Sequence, residues 1–113
     1  MQLRNLSREN QVLVANLQVA DTLWKRLRGL LGRRQLGEDE GMVIVPCNAV
    51  HTIGMSFSLD LLFLSRNGNV LRLEHDVRPW SMRFCLKAYA VVEVPAGVLK
   101  HRSCQVGDRV AWE

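Results

Sequence analysis

Residues 59–64 read Leu-Asp-Leu-Leu-Phe-Leu, apolar at both strand parities except for Asp60. Successive side chains of a strand point to opposite faces, so this pattern predicts a central strand buried on both sides. A fold built around such a strand needs a sheet with cover on each face. The chain has 113 residues, room for a single domain with one folded interior and no second independent one. Hydrophobic residues at 48% and charged residues at 23% are ordinary for a globular chain, which excludes disordered and fibrous classes.

The rest of the chain supplies the cover mainly as short strands. Residues 11–19 are β-rich, with Val12, Val14 and Leu17 as expected core members. Met42 to Val45 is a short apolar strand stopped by Pro46. Asn67-Gly68 sits between two strand-like runs, Leu59–Leu64 and Val70–Leu73, and signals a hairpin. Tyr89 to Val94 reads as a further strand, closed by Pro95-Ala96-Gly97; a helical turn is expected within Val98 to Cys104, and a last strand over Arg109 to Trp112. One substantial helix is expected. Asp21 and Thr22 are N-cap residues, Gly32 is a stop, and Leu23, Trp24, Leu27, Leu30 and Leu31 share one arc opposite Lys25, Arg26, Arg28 and Arg33. The expected class is mainly β: a small antiparallel β-sandwich or partly closed barrel with one amphipathic helix packed on it.

Charge and cysteine content exclude several functions. The net charge of +4 is mild, and the basic ridge of the helix lacks a helix-turn-helix partner or an aromatic stacking platform, so sequence-specific nucleic-acid binding is not expected. Cys47, Cys85 and Cys104 are odd in number and form no Cys-x-x-Cys pair, which argues against a disulfide framework or a structural zinc site. Reduced thiols and the absence of an apolar leader or a membrane-length run lead to the expectation of a cytoplasmic protein.

The order of motifs carries more information than any one of them. Arg28-Gly29-Leu30-Leu31-Gly32-Arg33 is followed by His51-Thr52-Ile53-Gly54-Met55, then by Leu59-Asp60-Leu61-Leu62-Phe63-Leu64 and the Asn-Gly hairpin. Glu93-Val94-Pro95-Ala96-Gly97 and Val106-Gly107-Asp108 complete the series. Together, over roughly residues 10–112, these resemble the bacterial and archaeal family known as domain of unknown function 192. Many members carry Trp-Met-Lys-Asn-Thr before the Leu-Asp strand, whereas this chain is similar to a branch with a His-Thr-x-Gly-Met motif. The resemblance implies a β-sandwich-like fold and implies no reaction. Many relatives look exported, a feature the present sequence does not share.

Two sets of residues could carry chemistry. Cys47, His51 and Met55 recur every four residues, share strand parity, and are soft donors of the kind that hold copper. The competing reading makes Cys47 and Met55 core fillers. Asp60, alone in a doubly buried strand, needs a partner, and His51, Thr52, Arg28 or Arg83 could supply it. A His51–Asp60 pair at a pocket rim would be an acid, base or ligand anchor; alternatively Asp60 is a structural tie that accepts backbone hydrogen bonds. Arg78, Trp80 and the residues through Phe84 form a proline-marked loop with an interface-like composition. The leading expectation is a non-enzymatic ligand-binding or protein-interaction module without a cofactor, its partner an unidentified small molecule or protein. Candidate binding residues are His51, Thr52, Asp60, Arg78 and Trp80. The alternative is an enzyme or copper-binding protein using His51 and Asp60, with Cys47 and Met55 as further ligands.

Overall fold

The computed structural model describes residues 1–113. Its strands are β1 (Leu3–Asn5), β2 (Gln11–Val14), β3 (Asn16–Ala20), β4 (Glu40–Ile44), β5 (Ala49–His51), β6 (Leu59–Leu64), β7 (Val70–Val77), β8 (Met82–Phe84), β9 (Ala90–Pro95) and β10 (Val110–Trp112). Two short helices interrupt them, α1 (Leu23–Arg28) and α2 (Val98–His101). The strands form a five-stranded sheet in the order β3-β4-β9-β6-β7, a three-stranded sheet β10-β1-β2, and a two-stranded pair β5-β8.

All six residues of β6 are buried, as its two-sided apolar pattern requires. Leu62 and Leu64 point into one core with Val43, Val92 and Val94. That core is closed from the other side by Leu3, Leu13, Val14 and Val110 of the three-stranded sheet. Leu59, Leu61 and Phe63 point the other way, into a second core with Met42, Ile44, Val50, Met55, Val91 and Leu30. The five-stranded sheet is therefore the middle layer. Its first face meets a sheet, and its second meets the β5-β8 pair and the segments flanking it.

The mainly β class follows from the sequence, and three particulars differ from the expectation. First, β3 and β4 run parallel, in register from Asn16↔Glu40 to Ala20↔Ile44. Their crossover contains α1, which lets one short helix serve a connection that hairpins cannot make. Second, the loop expected over Arg78–Phe84 contains β8, which pairs with β5 from Ala49↔Phe84 to His51↔Met82. Third, α1 is shorter than the apolar arc suggested and does not lay that arc on the sheet. Thr22 caps it through Oγ1, which accepts from the Lys25 N–H at 3.2 Å. Gly29, at φ +50°, ends it three residues before Gly32. Leu23, Trp24 and Leu27 remain 67%, 73% and 66% exposed. Of the arc only Leu30 is buried, and it lies beyond the helix end, where the chain has already turned inward.

The termini are fastened to one another. Asp108 accepts from the Asn5 amide at 2.9 Å, the Gln105 N–H at 3.0 Å and Arg8 Nε at 3.3 Å, locking the β1 end to the turn before β10. The Asn67-Gly68 turn is gripped by the same strand: the Val110 N–H donates to the Gly68 carbonyl at 2.9 Å. A side chain at Gly68 would collide with the Val110 carbonyl, and φ there is +83°. Gly107 has a similar φ of +96° with open space around it. Gly107→Ala should therefore cost about 1 kcal/mol of conformational strain, and Gly68→Ala about 3 kcal/mol or more, because strain and collision combine. Urea titration of the two variants checks this; equal losses would show that the close approach of β10 to the turn is not what demands glycine.

Candidate functional site

Asp60 is fully buried and completely engaged. Its Oδ1 accepts from the Asp76 N–H at 2.8 Å, and Oδ2 accepts from Gly97 at 2.9 Å and Leu99 at 3.4 Å. Asp76 adopts φ +52° within the register shift of the β6–β7 pairing, so one carboxylate oxygen holds that bulge. The other oxygen takes the orphan donors at the start of α2, whose own N-cap, Gly97, has no side chain to do so. The nearest imidazole is that of His75, with Nδ1 at 3.6 Å. His51, Thr52, Arg28 and Arg83 take no part in this network: His51 lies in the β5-β8 pair, on the opposite side of the central sheet from Asp60.

Thr52 has a separate task. Its Oγ1 donates to the Arg78 carbonyl at 2.7 Å and accepts from the Ser81 N–H at 2.8 Å, while its own N–H donates to the Ser81 carbonyl at 2.9 Å. Its carbonyl accepts from the Trp80 N–H at 3.0 Å. These bonds clasp the 78–81 turn, in which Trp80 is held at φ +64° and is 72% exposed. Thr52, Arg78 and Trp80 thus belong to one turn. Met82 and Phe84 continue its exposed apolar surface across from His51 and Ala49.

The third set converges on a cleft. Between α1 with the turn that follows it and the 46–55 segment lies a cavity of about 330 Å³. Cys47, His51 and Met55 all line it, together with Leu23, Leu27 and Ile53. Met55 is buried, Cys47 half-buried and His51 exposed, so the three occupy different depths of one wall. The Cys47 thiol donates to the Ala49 carbonyl at 3.1 Å, and burial raises its pKa. Cys104, away from the cleft, is pushed by burial up to about 11. All three cysteines are free thiols, and no group of three His, Cys, Asp or Glu side chains converges as a metal site.

Residue Glu93 is the part of this cleft that sequence reading passed over. It stands in β9 opposite Met42 of β4 and Leu61 of β6, hence on the second core's face of the sheet, and is 4% exposed. Its Oε1 has no hydrogen-bond partner. Burial pushes its pKa up to about 7. The signal was available: Glu93 is a single carboxylate in a strand apolar at both parities, the same pattern that drew attention to Asp60. Arg26 lies in the same cleft, yet its guanidinium donates to the carbonyls of Thr22 at 3.4 Å and Pro46 at 3.2 Å, leaving Glu93 without a counter-ion.

Two outcomes follow. Asp60→Asn places an amide against inward-pointing N–H donors and should cost about 2 kcal/mol in urea unfolding without altering anything that binds in the cleft; an unchanged midpoint would mean the tie is dispensable. For Glu93, the folded chain retains a proton that the unfolded chain releases near pH 4.5. Stability should therefore fall as pH rises from about 4.5 to about 7 and level off above it, a change on the order of 3 kcal/mol. Glu93→Gln should flatten that window and exceed the parent chain in stability at pH 8. Parallel pH profiles for the two proteins would refute a buried, protonated Glu93.

Comparison with known proteins agrees with the fold. A UPF0127 protein of Thermococcus sibiricus is 29% identical over 113 residues, spanning 93% of this chain and 71% of the relative. A UPF0127 protein of Pyrococcus furiosus is 28% identical over 116 residues, covering 96% and 95% of the two chains. The crystal structure of a protein of unknown function from Novosphingobium aromaticivorans superposes with a TM-score of 0.86 at 21% identity, over 99% of this chain and 84% of that one. The family model of DUF192, described as "Uncharacterized ACR", matches residues 4–112, and the chain belongs to that family.

Proposed function

We propose that the protein is a non-enzymatic binding module that admits a small, mainly apolar ligand with one hydrogen-bonding group into the cleft beneath α1. The observation that carries this reading is the combination of an open apolar cavity of about 330 Å³ with an unpartnered carboxyl, Glu93, at its buried end. Binding sites of this kind are concave and largely apolar, with few polar groups that fix orientation. A buried acceptor without a donor is costly, and a ligand that supplies the donor recovers that cost. The exposed side chains of Leu23 and Leu27 at the mouth gain by being covered.

The chemistry of the wall supports binding over catalysis. The Cys47 thiol is bonded to a backbone carbonyl and kept protonated by burial, with no side-chain base in hydrogen-bond contact. His51 lies on the exposed face of β5. A soft-metal site is the second reading, because Cys47, His51 and Met55 line the same cleft. It requires loss of the Cys47 proton, against the direction in which burial pushes it. Stoichiometric Cu(I) uptake under reducing conditions, lost in both Cys47→Ser and Met55→Ala, would establish it in place of the first.

Anilinonaphthalene sulfonate, an apolar fluorescent probe, tests the cleft directly. The folded protein should enhance its emission, and Ala49→Phe, which fills the cleft from the β5 wall, should weaken binding by at least about tenfold. Leu86→Ser, on exposed surface outside the cleft, should bind as the parent chain does. Equal affinity of the Ala49→Phe and parent chains would remove the cleft as the site.

A further inference from the structure

We propose that the ligand of this cleft is dipolar, with an ammonium group seated against Glu93, an apolar body along the walls, and an anionic group at the mouth beside Arg28 and His51. The proposal rests on the reading of the cleft as a ligand site and specifies the class of molecule that site takes.

With Glu93 ionised, as it is above about pH 7, the inner end offers acceptors and no donor. The space where a side chain at Gly29 would begin is bounded by Glu93 Oε1 at 3.8 Å, the Arg26 carbonyl oxygen at 4.0 Å and Ile44 Cδ1 at 3.9 Å. An ammonium group is donor-only and matches a carboxylate beside a carbonyl. A carboxylate or phosphate there would face another acceptor pair, and a hydroxyl would satisfy only part of it. The other buried carboxylates of the protein show how strictly this chain meets such demands. Asp60 receives three backbone N–H groups, and Asp108 receives Asn5, Gln105 and Arg8. Glu93 alone is left for an outside donor.

The mouth has the opposite character. Arg28 and His51 are exposed on its two sides, and Arg28 enters none of the protein's ion pairs. A cation at the mouth would be repelled by Arg28, whereas an anion would be attracted. The field along the cleft therefore runs from negative at the floor to positive at the rim, and a molecule with the complementary polarity has one orientation in it. The titratable and charged groups that line the cleft with Glu93 are Cys47 and His51 from the β5 side and Arg26 and Arg28 from α1. None of them donates a hydrogen bond to it. Seating an ammonium group requires Glu93 to ionise. Affinity should thus rise as pH climbs toward about 7, by up to tenfold per unit, and level off above that.

The test is an NMR titration of the folded protein at pH 6 and pH 8 with four probes of one chain length: ω-aminooctanoate, octylamine, octanoate and octanol. At pH 8, ω-aminooctanoate should bind most tightly, and octylamine should exceed octanol by about tenfold. Glu93→Gln should erase the advantage of the amines, and Arg28→Glu the added gain of the distal carboxylate. Amine affinity should drop at pH 6. Octanol or octanoate binding as tightly as octylamine would overturn the ammonium assignment while leaving the cleft as a ligand site. Failure of all four to shift resonances of cleft residues would overturn both.

Discussion

The pairing of β6 with β9, from Leu59↔Pro95 to Leu64↔Ala90, is the contact on which every other layer depends. Both strands are apolar on both faces, so neither can stand at an edge or on a wet surface without exposing a full row of large side chains. Once they pair, the sheet has two apolar faces and the chain must cover both. The three-stranded sheet covers one with Leu3, Leu13, Val14 and Val110. Leu30, Val50 and Met55 cover the other, from segments that are short and less regular. The first face is sealed by a sheet clasped at both termini. The second is closed only in part, and its gap is the cleft.

Each of the two central strands carries one carboxylate, and they point to opposite faces. Their fates differ for a geometric reason. Asp60 lies near the start of β6, where a bulge in β7 and the first turn of α2 both present N–H groups that have no partner in regular structure. Glu93 lies in the interior of β9, in regular register with Met42 on one side and Leu61 on the other, so the neighbouring backbone donors are engaged in the ladder. One carboxylate stabilises the fold through its bonds, and the other is carried at a cost. A group carried at a cost in an open cleft is where an unassigned chemical role is most economically sought.

The behaviour of α1 sharpens this picture. Its apolar arc has the spacing of a helix that packs on a sheet, yet its six residues form fewer than two turns, and Gly29 turns the chain away before the arc can be laid down. The consequence is a helix whose leucines border a cavity and whose tryptophan faces outward. Hydrophobic periodicity placed a helix here and capping chemistry placed its start at Thr22; the expected stop at Gly32 and the expected packing of the apolar side on the sheet are overturned, because the helix ends at Gly29 with its leucines exposed.

Much of the fold was legible in the residues. Two-sided apolarity located β6, Asn67-Gly68 located its hairpin with β7, and Thr22 located the start of α1, because strand period, turn chemistry and capping are local properties. The alternatives drawn for Asp60 were also legible, since a lone carboxylate in a buried strand must be satisfied by something. What supplied that satisfaction was decided by tertiary structure: Asp76, Gly97 and Leu99 are distant in sequence and meet Asp60 only when the bulge and α2 arrive beside it. The same holds for the cleft. Cys47, His51 and Met55 were related by spacing alone, whereas their meeting with Glu93 and α1 depends on a parallel crossover and on β8 pairing with β5. Local sequence determines which elements can form and which groups will need partners; only the packing of distant strands determines which partners arrive and which group is left without one.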